Sequence, residues 1–259
     1  MADRSKAAAS DGTIYINEIR TGRARFQVLG ISPLISNRVS EKAMHELALP
    51  GPKKNAADRA STLKHDPIAE FRASPYLSED PESDTHLIAP TMWFKNAMKS
   101  AALDLPGTTK TQIGRLCWVE SEYVPIWGTP KLLMSVVRSA DINHTPDIRT
   151  RAIVQKWATV IELNWAEPLL NQSSIANLLH AAGIFSGVGD WRSQKGGGSY
   201  GQFRLVNEDD PEFMAVVKGG GYDVQAAAMA EPTAYDREST DLLAWMQGEI
   251  AKRGKTAMK

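Results

Sequence analysis

The stretch from Gly183 to Val206 constrains the fold most strongly, because it is dense in glycine and yet lies between two segments with regular patterns. It contains seven glycines, at positions 183, 187, 189, 196, 197, 198 and 201. Apolar residues at helical spacing in Ser173–Ala182 predict a helix before it, and alternation in Gln202–Val206 predicts a strand after it. Because glycine loses the most entropy on folding, so many in one connection indicate that the loop has a specific role.

Four side chains between these glycines suggest what that role is: Trp191, Arg192, Lys195 and Tyr200. Cations and backbone N–H groups hold phosphate, and aromatic rings stack on bases. The glycines follow a helix and precede a strand, which is the reverse of a Rossmann fingerprint or a P-loop. We therefore expect these four residues to contact nucleic acid, and the alternative is a solvent-exposed loop without a ligand.

The charge balance requires any nucleic-acid site to be a local patch, since 30 Lys and Arg residues face 30 Asp and Glu residues. Between Arg20 and Lys64, nine basic residues stand against three acidic ones, and a local excess of this kind suits phosphate contact. The alternative is a solvated surface. The basic residues outside the glycine-rich loop that we expect to bind nucleic acid are Arg23, Arg25, Arg38, Lys53, Lys54, Arg59, Lys64, Lys95, Lys99, Arg149 and Arg151.

The remaining composition predicts a cytoplasmic protein with no membrane contact and no cofactor or metal. The N-terminus has no apolar signal segment, and no apolar run approaches the length of a membrane span. The single cysteine, Cys117, lies in an apolar strand-like setting and is expected in the core. The chain has only five histidines, and the polar segment 139–151 matches no metal-binding or triad spacing although it carries Asp141, His144, Asp147, Arg149 and Arg151. We therefore expect no enzymatic activity, with cleavage of RNA by His65 or His144 and an aspartate as the alternative.

Hydrophobic periodicity predicts strands over residues 23–36, 116–127, 131–138, 152–165 and 201–206, and helices over residues 91–105 and 173–183. Two helices can cover only one face of a sheet. The fold class is therefore α+β: a two-layer sandwich with an antiparallel sheet and a core of the RNA-recognition-motif (RRM) or ferredoxin-like type. Its other face, or the loops at its edge, is free for single-stranded nucleic acid.

The expected domain organisation is a core domain over residues 13–207 followed by an appendage over residues 208–259. The core contains a basic insertion at residues 37–88 and a hairpin or loop at residues 139–151. The appendage ends in a helix over residues 236–253, with an apolar stripe of Leu242, Trp245, Met246 and Ile250. That stripe packs either on its own domain or on a neighbouring subunit.

Three segments resemble the RAMP superfamily, and within it the Cas-seven-type backbone subunit of CRISPR effector complexes. They are the strand Phe26–Ile35, the segment Ile88–Met98, and the glycine-rich loop from Gly187 to Phe203. Ile88-Ala89-Pro90 leading into Phe94–Met98 looks like the first helix of that family. The resemblance covers roughly residues 23–206, and the chain is also similar to prophage-encoded proteins.

The resemblance implies a single-stranded RNA-binding protein that forms a helical nucleoprotein filament along a crRNA-like RNA in antiviral defence. Its partners would be that RNA, further copies of itself as a homo-oligomer, and other effector subunits. Family members that cleave RNA use an aspartate in a loop, and Asp58, Asp66 and Asp141 are candidates here that match no motif. The alternatives are a phage single-strand DNA annealing protein, a RAMP-type endoribonuclease and a phage structural protein.

Overall fold

The computed structural model describes residues 18–39, 44, 48–49, 65–138, 146–194 and 197–257. In chain order its strands and helices are β1 (Arg20–Gly30), β2 (Leu34–Ser36), α1 (Pro67–Ala73), β3 (Tyr76–Leu77), β4 (Leu87–Pro90), α2 (Met92–Ala101), α3 (Lys110–Leu116), β5 (Cys117–Trp118), β6 (Tyr123–Pro125), β7 (Pro130–Arg138), β8 (Pro146–Val154), β9 (Ala158–Glu167), α4 (Gln172–Phe185), β10 (Phe203–Val206), α5 (Pro211–Gly219), α6 (Tyr222–Ala230) and α7 (Arg237–Ala257).

The core sheet has the strand order β10-β1-β9-β5, and every pair in it is antiparallel. Taken in chain order, β1, β5, β9 and β10 are the first to fourth strands, so the spatial order is 4-1-3-2. Helix α2 lies between the first and second of these strands, and α4 lies between the third and fourth. This is the ferredoxin-like arrangement, and it confirms the predicted α+β fold class.

Helices α2 and α4 cover one face of the core sheet. The spacing of Phe94, Ala97, Met98 and Ala101 places all four on one side of α2, where they are buried together with Ile175, Leu178 and Leu179 of α4. Each large apolar side chain buried in this way contributes roughly 1.5–3 kcal/mol. The same cluster contains Cys117, which confirms its predicted place in the core, and burial raises the pKa of the Cys117 thiol to about 11.

Three predicted strands each divide into two shorter strands that belong to different sheets. Residues 23–36 divide into β1 and β2, residues 116–127 into β5 and β6, and residues 152–165 into β8 and β9. The first and third divisions meet at Trp157, whose carbonyl oxygen accepts a hydrogen bond from Gly30 N–H at 2.8 Å. Trp157 Nε1 in turn donates to the carbonyl oxygen of Ser32 at 2.8 Å. Pro33 and the polar run Glu120–Glu122 lie at two of these divisions, but periodicity does not show which sheet each half joins.

The second sheet has the order β2-β8-β7, and the third has the order β3-β4-β6. One face of the second sheet is covered by α1, α6 and α7, through a buried cluster that includes Phe71, Met134, Met229 and Met246. The predicted stripe of α7 therefore packs on its own chain through Leu242 and Met246. Two of its members, Trp245 and Ile250, are 57 % and 42 % exposed.

The basic insertion is regular from residue 67 onward, where α1, β3 and β4 form, while residues 40–43, 45–47 and 50–64 lie outside the described part. In the predicted hairpin, residues 146–151 belong to β8, which pairs with β7 along its whole length. Residues 139–145 again lie outside the described part. The segment after residue 207 forms α5, α6 and α7. No helix within the described ranges has the length and apolar character needed to cross a membrane.

Candidate nucleic-acid interface

The second face of the β2-β8-β7 sheet carries the candidate site. Because side chains alternate along a strand, Arg149, Arg151 and Ile153 share one face of β8. The antiparallel register sets Leu133 of β7 opposite Arg151, and Ser135 opposite Arg149. This face is apolar at one end and cationic beyond it.

The glycine-rich loop packs on the apolar end of this face. Trp191, Tyr200 and Tyr235 lie against the buried side chains Ile35, Leu133 and Ile153. The rings of Trp191 and Tyr200 are stacked, with centroids 6.2 Å apart and planes inclined by 19°. Both side chains are partly exposed, so the loop presents aromatic surface beside the strand that bears the arginines.

Two glycines of the loop are required by close backbone approach. Gly189 has φ +79°, and a Cβ there would lie 2.6 Å from the carbonyl oxygen of Ile35. Gly201 has φ +69°, and a Cβ there would clash with the carbonyl oxygen of Val188. Both positions therefore need glycine for conformation and for space.

The backbone of the same loop is hydrogen-bonded within the protein. Asp190 N–H donates to Ile35 at 2.9 Å, Gly201 N–H donates to Pro33 at 2.8 Å, and Val188 N–H donates to Gly201 at 2.9 Å. These three amides are therefore occupied within the fold and are not available to a phosphate.

Arg151 is the most unusual cation of the site. Its side chain is only 7 % exposed, and its guanidinium carbon lies 5.3 Å from the centroid of the Trp191 ring, within cation–π range. Nε lies 3.4 Å from Oδ2 of Asp190, but neither Nε nor Nη1 has a hydrogen-bond partner in the part of the chain that the structure describes. Burial lowers the pKa of the Arg151 guanidinium, and the Asp190 carboxylate opposes that effect.

Polar groups continue along the same strand. Arg149 is half exposed, with Nε 4.0 Å from Oδ2 of Asp147. The hydroxyl of Ser135 is buried and lacks a hydrogen-bond partner among the described residues. At the beginning of β8, the two ring nitrogens of His65 contact Glu70 at 2.8 Å and Asp147 at 3.1 Å. These contacts connect the beginning of α1 to the hairpin.

The structure brings together four of the predicted site residues, namely Arg149, Arg151, Trp191 and Tyr200. Arg192 belongs to the same loop, and one nitrogen of its guanidinium is used inside it, since Nη1 donates to the carbonyl oxygen of Gly189 at 2.7 Å. Arg38 follows β2, and its backbone N–H donates to Ser74. The predicted residues that lie outside the described part are Lys53, Lys54, Arg59, Lys64 and Lys195.

The other predicted cations lie in the core layer. Arg23 and Arg25 are on β1, where the Arg23 guanidinium pairs with Glu162 and lies 3.8 Å from Glu120. Lys95 and Lys99 are on α2. Within the described ranges no hydrogen bond or ion pair joins any of these four to Arg151 or Trp191.

Sequence reasoning missed three residues of the site: Asn37, Asp190 and Tyr235. Asn37 Nδ2 donates to Oδ2 of Asp190 at 3.1 Å, and Tyr235 packs with Trp191 and Tyr200. Asp190 directly precedes Trp191 in the loop, and that position was a usable signal. No sequence signal indicates Asn37 or Tyr235, because they reach the site only through the packing of β2 and of the segment before α7.

No protein-family model matches the chain, and no curated protein sequence matches it. Among solved structures, the chain is similar to Cmr6 from Pyrococcus furiosus, with 8 % sequence identity and a TM-score of 0.36. The matched region covers 72 % of this chain and 98 % of that chain. A likeness this weak assigns neither a family nor a function.

Proposed function

We propose that this chain is a single-stranded RNA-binding subunit that self-associates along the RNA, in the manner of the backbone of a CRISPR effector complex. The observation that carries the proposal is the cluster of Arg151, Trp191 and Tyr200. A buried guanidinium with unmet donors lies beside a stacked, partly exposed aromatic pair. Cations that follow the backbone and aromatic rings that stack on bases are the two components of single-strand binding.

The chemistry of the cluster favours a single strand over a duplex. A stacking ring can reach a base only where that base is unpaired, and RNA is read in this way at loops, bulges and ends. The half-exposed Arg149 lies two residues from Arg151 on the same strand face. It supports contact with a neighbouring phosphate, so that β8 runs beside a short stretch of backbone.

Self-association is the second part of the proposal. Helix α7 packs on its own sheet through Met246 and Leu242 but leaves Trp245 and Ile250 exposed. Exposed large apolar side chains on one helix suit contact with a neighbouring subunit. In this proposal, copies of the chain and other subunits of an effector complex are the protein partners.

The proposed role is binding without cleavage. Both ring nitrogens of His65 already contact carboxylates, and its side chain is 17 % exposed. An imidazole with both nitrogens in contact with carboxylates is better suited to linking two segments than to acting as a general base on a substrate. If RNA were cleaved, and cleavage were lost in His65→Ala, the endoribonuclease alternative would replace this part of the proposal.

Fluorescence anisotropy with matched short labelled RNA and DNA single strands tests the proposal. Arg151→Gln should weaken RNA binding by at least tenfold, because charge-assisted contacts of this kind contribute roughly 1.5–3 kcal/mol. The matched control is Arg237→Gln, since the Arg237 side chain is 95 % exposed on α7. Equal affinity for DNA together with strand annealing would favour the annealing alternative, and no binding to either strand at low salt would overturn the proposal.

A second measurement addresses assembly. Sedimentation of the wild-type protein on long RNA should show a ribonuclease-sensitive species larger than one subunit per RNA. Trp245→Ala should reduce its size while leaving the affinity for a short RNA unchanged. A one-to-one complex on long RNA would contradict self-association and leave RNA binding intact.

A further inference from the structure

A carboxylate lies within the proposed RNA-binding surface. Asp190 is fixed by three contacts: its backbone N–H bonds to Ile35, Asn37 Nδ2 donates to its Oδ2, and the same oxygen lies 3.4 Å from Arg151 Nε. A negative charge at this position repels an incoming phosphate. Its presence beside the central cation of the site therefore requires an explanation.

The geometry of the Arg151–Asp190 pair explains why a carboxylate is present there. The distance is that of an ion pair, but Nε and Nη1 of Arg151 remain without a hydrogen-bond acceptor in the described part of the chain. Asp190 thus offsets the charge of the guanidinium without satisfying its donors. Since the Arg151 side chain is 93 % shielded from solvent, water does not satisfy them freely either.

A phosphodiester can accept hydrogen bonds from the Arg151 N–H groups that Asp190 leaves without an acceptor. Its anionic oxygens can accept charge-assisted hydrogen bonds from guanidinium N–H groups, which are among the strong hydrogen bonds in proteins. A base attached to the same nucleotide would lie near the rings of Trp191 and Tyr200. The class of ligand that completes this site is therefore a phosphodiester with a neighbouring unpaired base.

We propose that Asp190 is an internal substitute for an RNA phosphate, an inference that rests on the proposed function. In the free protein its carboxylate pairs with Arg151, and bound RNA displaces that carboxylate. Asp190 then determines affinity and selectivity without contacting RNA attractively. A polyanion that has no bases gains only the phosphate contact, which must compete with Asp190. Single-stranded RNA gains stacking in addition and therefore displaces the carboxylate more readily.

The test compares Asp190→Asn with Glu162→Gln in RNA-binding titrations over a range of salt concentrations. Both variants remove one carboxylate that pairs with an arginine, but Glu162 lies on β9 beside Arg23. Asp190→Asn should tighten RNA binding several-fold, and more than the control does. The gain should vanish in the double variant Arg151→Gln, Asp190→Asn.

A second variant covers the case in which Asp190→Asn does not fold. Asn37→Ala removes the hydrogen bond that anchors the carboxylate and keeps the charge, so it should also tighten RNA binding. Unchanged or weaker binding in the folded Asp190→Asn or Asn37→Ala protein would overturn the inference, and so would an equal gain in Glu162→Gln. In these cases wild-type binding and its loss in Arg151→Gln would still support the proposed function. Absence of RNA binding in the wild type would instead overturn both.

Discussion

The indole nitrogen of Trp157 donates a hydrogen bond to the carbonyl oxygen of Ser32 across 2.8 Å, and this contact joins two places where the chain leaves one sheet for another. Trp157 is fully buried, and its own backbone oxygen accepts from Gly30 N–H. The tryptophan therefore holds together the β1–β2 and β8–β9 connections on which the position of the second sheet depends.

Trp157→Phe should lower the free energy of unfolding by roughly 1–3 kcal/mol. Phenyl is smaller than indole, so the variant leaves a small cavity, and the carbonyl of Ser32 also loses its donor. Urea denaturation followed by circular dichroism measures the change. An unchanged midpoint would show that the hydrogen bond is not needed to fix the two connections.

Gly189→Ala should destabilise the protein more than Gly197→Ala does. Both glycines have positive φ, at +79° and +71°, so both variants incur roughly 1–2 kcal/mol for the left-handed conformation. Only at Gly189 does a Cβ also approach a backbone oxygen, whereas Gly197 has nothing within 4 Å. Thermal unfolding measures the stability of both variants. Equal losses of stability would show that the loop can move away from the Ile35 carbonyl at little cost.

Tyr200→Ala should weaken binding of short single-stranded RNA by roughly 1–3 kcal/mol, the contribution of one stacked base. The control is Tyr123→Ala, because Tyr123 is 39 % exposed on the third sheet. Tyr200→Phe should retain most of the affinity because the ring remains. Anisotropy titrations measure all three variants, and equal losses at positions 123 and 200 would contradict a role for the aromatic pair.

The stability of the protein should decrease as the pH falls through the ordinary histidine range, in part because of His86. Burial lowers the pKa of His86 below its usual value near 6.5, and its ring packs edge-on against Tyr222 with centroids 5.0 Å apart. The unfolded chain therefore takes up the proton first, so the contribution of this group is present above the unfolded pKa and is lost as the pH decreases.

His86→Gln removes that titration. Urea midpoints of the wild type and His86→Gln, measured from about pH 7.5 down to about pH 5.5 around the histidine pKa, should fall more steeply for the wild type. Parallel curves would show that His86 does not contribute to the pH dependence.

The ferredoxin-like core could be predicted because its signals are local. The spacing of Phe94 and Met98 defines α2, and the apolar positions Ile175 and Leu179 define α4. The divisions of strands at Ser32 and Trp157 could not be predicted, because they depend on which sheet each half joins. Periodicity carries no information on that choice when both faces of a strand are buried.

The candidate site could be predicted only in part. Trp191 and Tyr200 were found because aromatic residues are unusual among glycines, and Arg151 was found as one of many cations. Its burial could not be foreseen, since arginine is rarely shielded from solvent. Asn37 reaches Asp190 across 153 positions of sequence, and no pattern in a single chain indicates such a contact.

The two connections beside Trp157 also determine whether the second sheet can be separated from the core sheet. The chain passes from the core sheet to the second sheet at residues 31–33 and returns at residues 155–157, and the two passages are tied to each other. The second sheet is therefore not a module that could be excised or exchanged at a single flexible linker. It is continuous with the ferredoxin-like core, and we expect the two sheets to unfold in one cooperative transition.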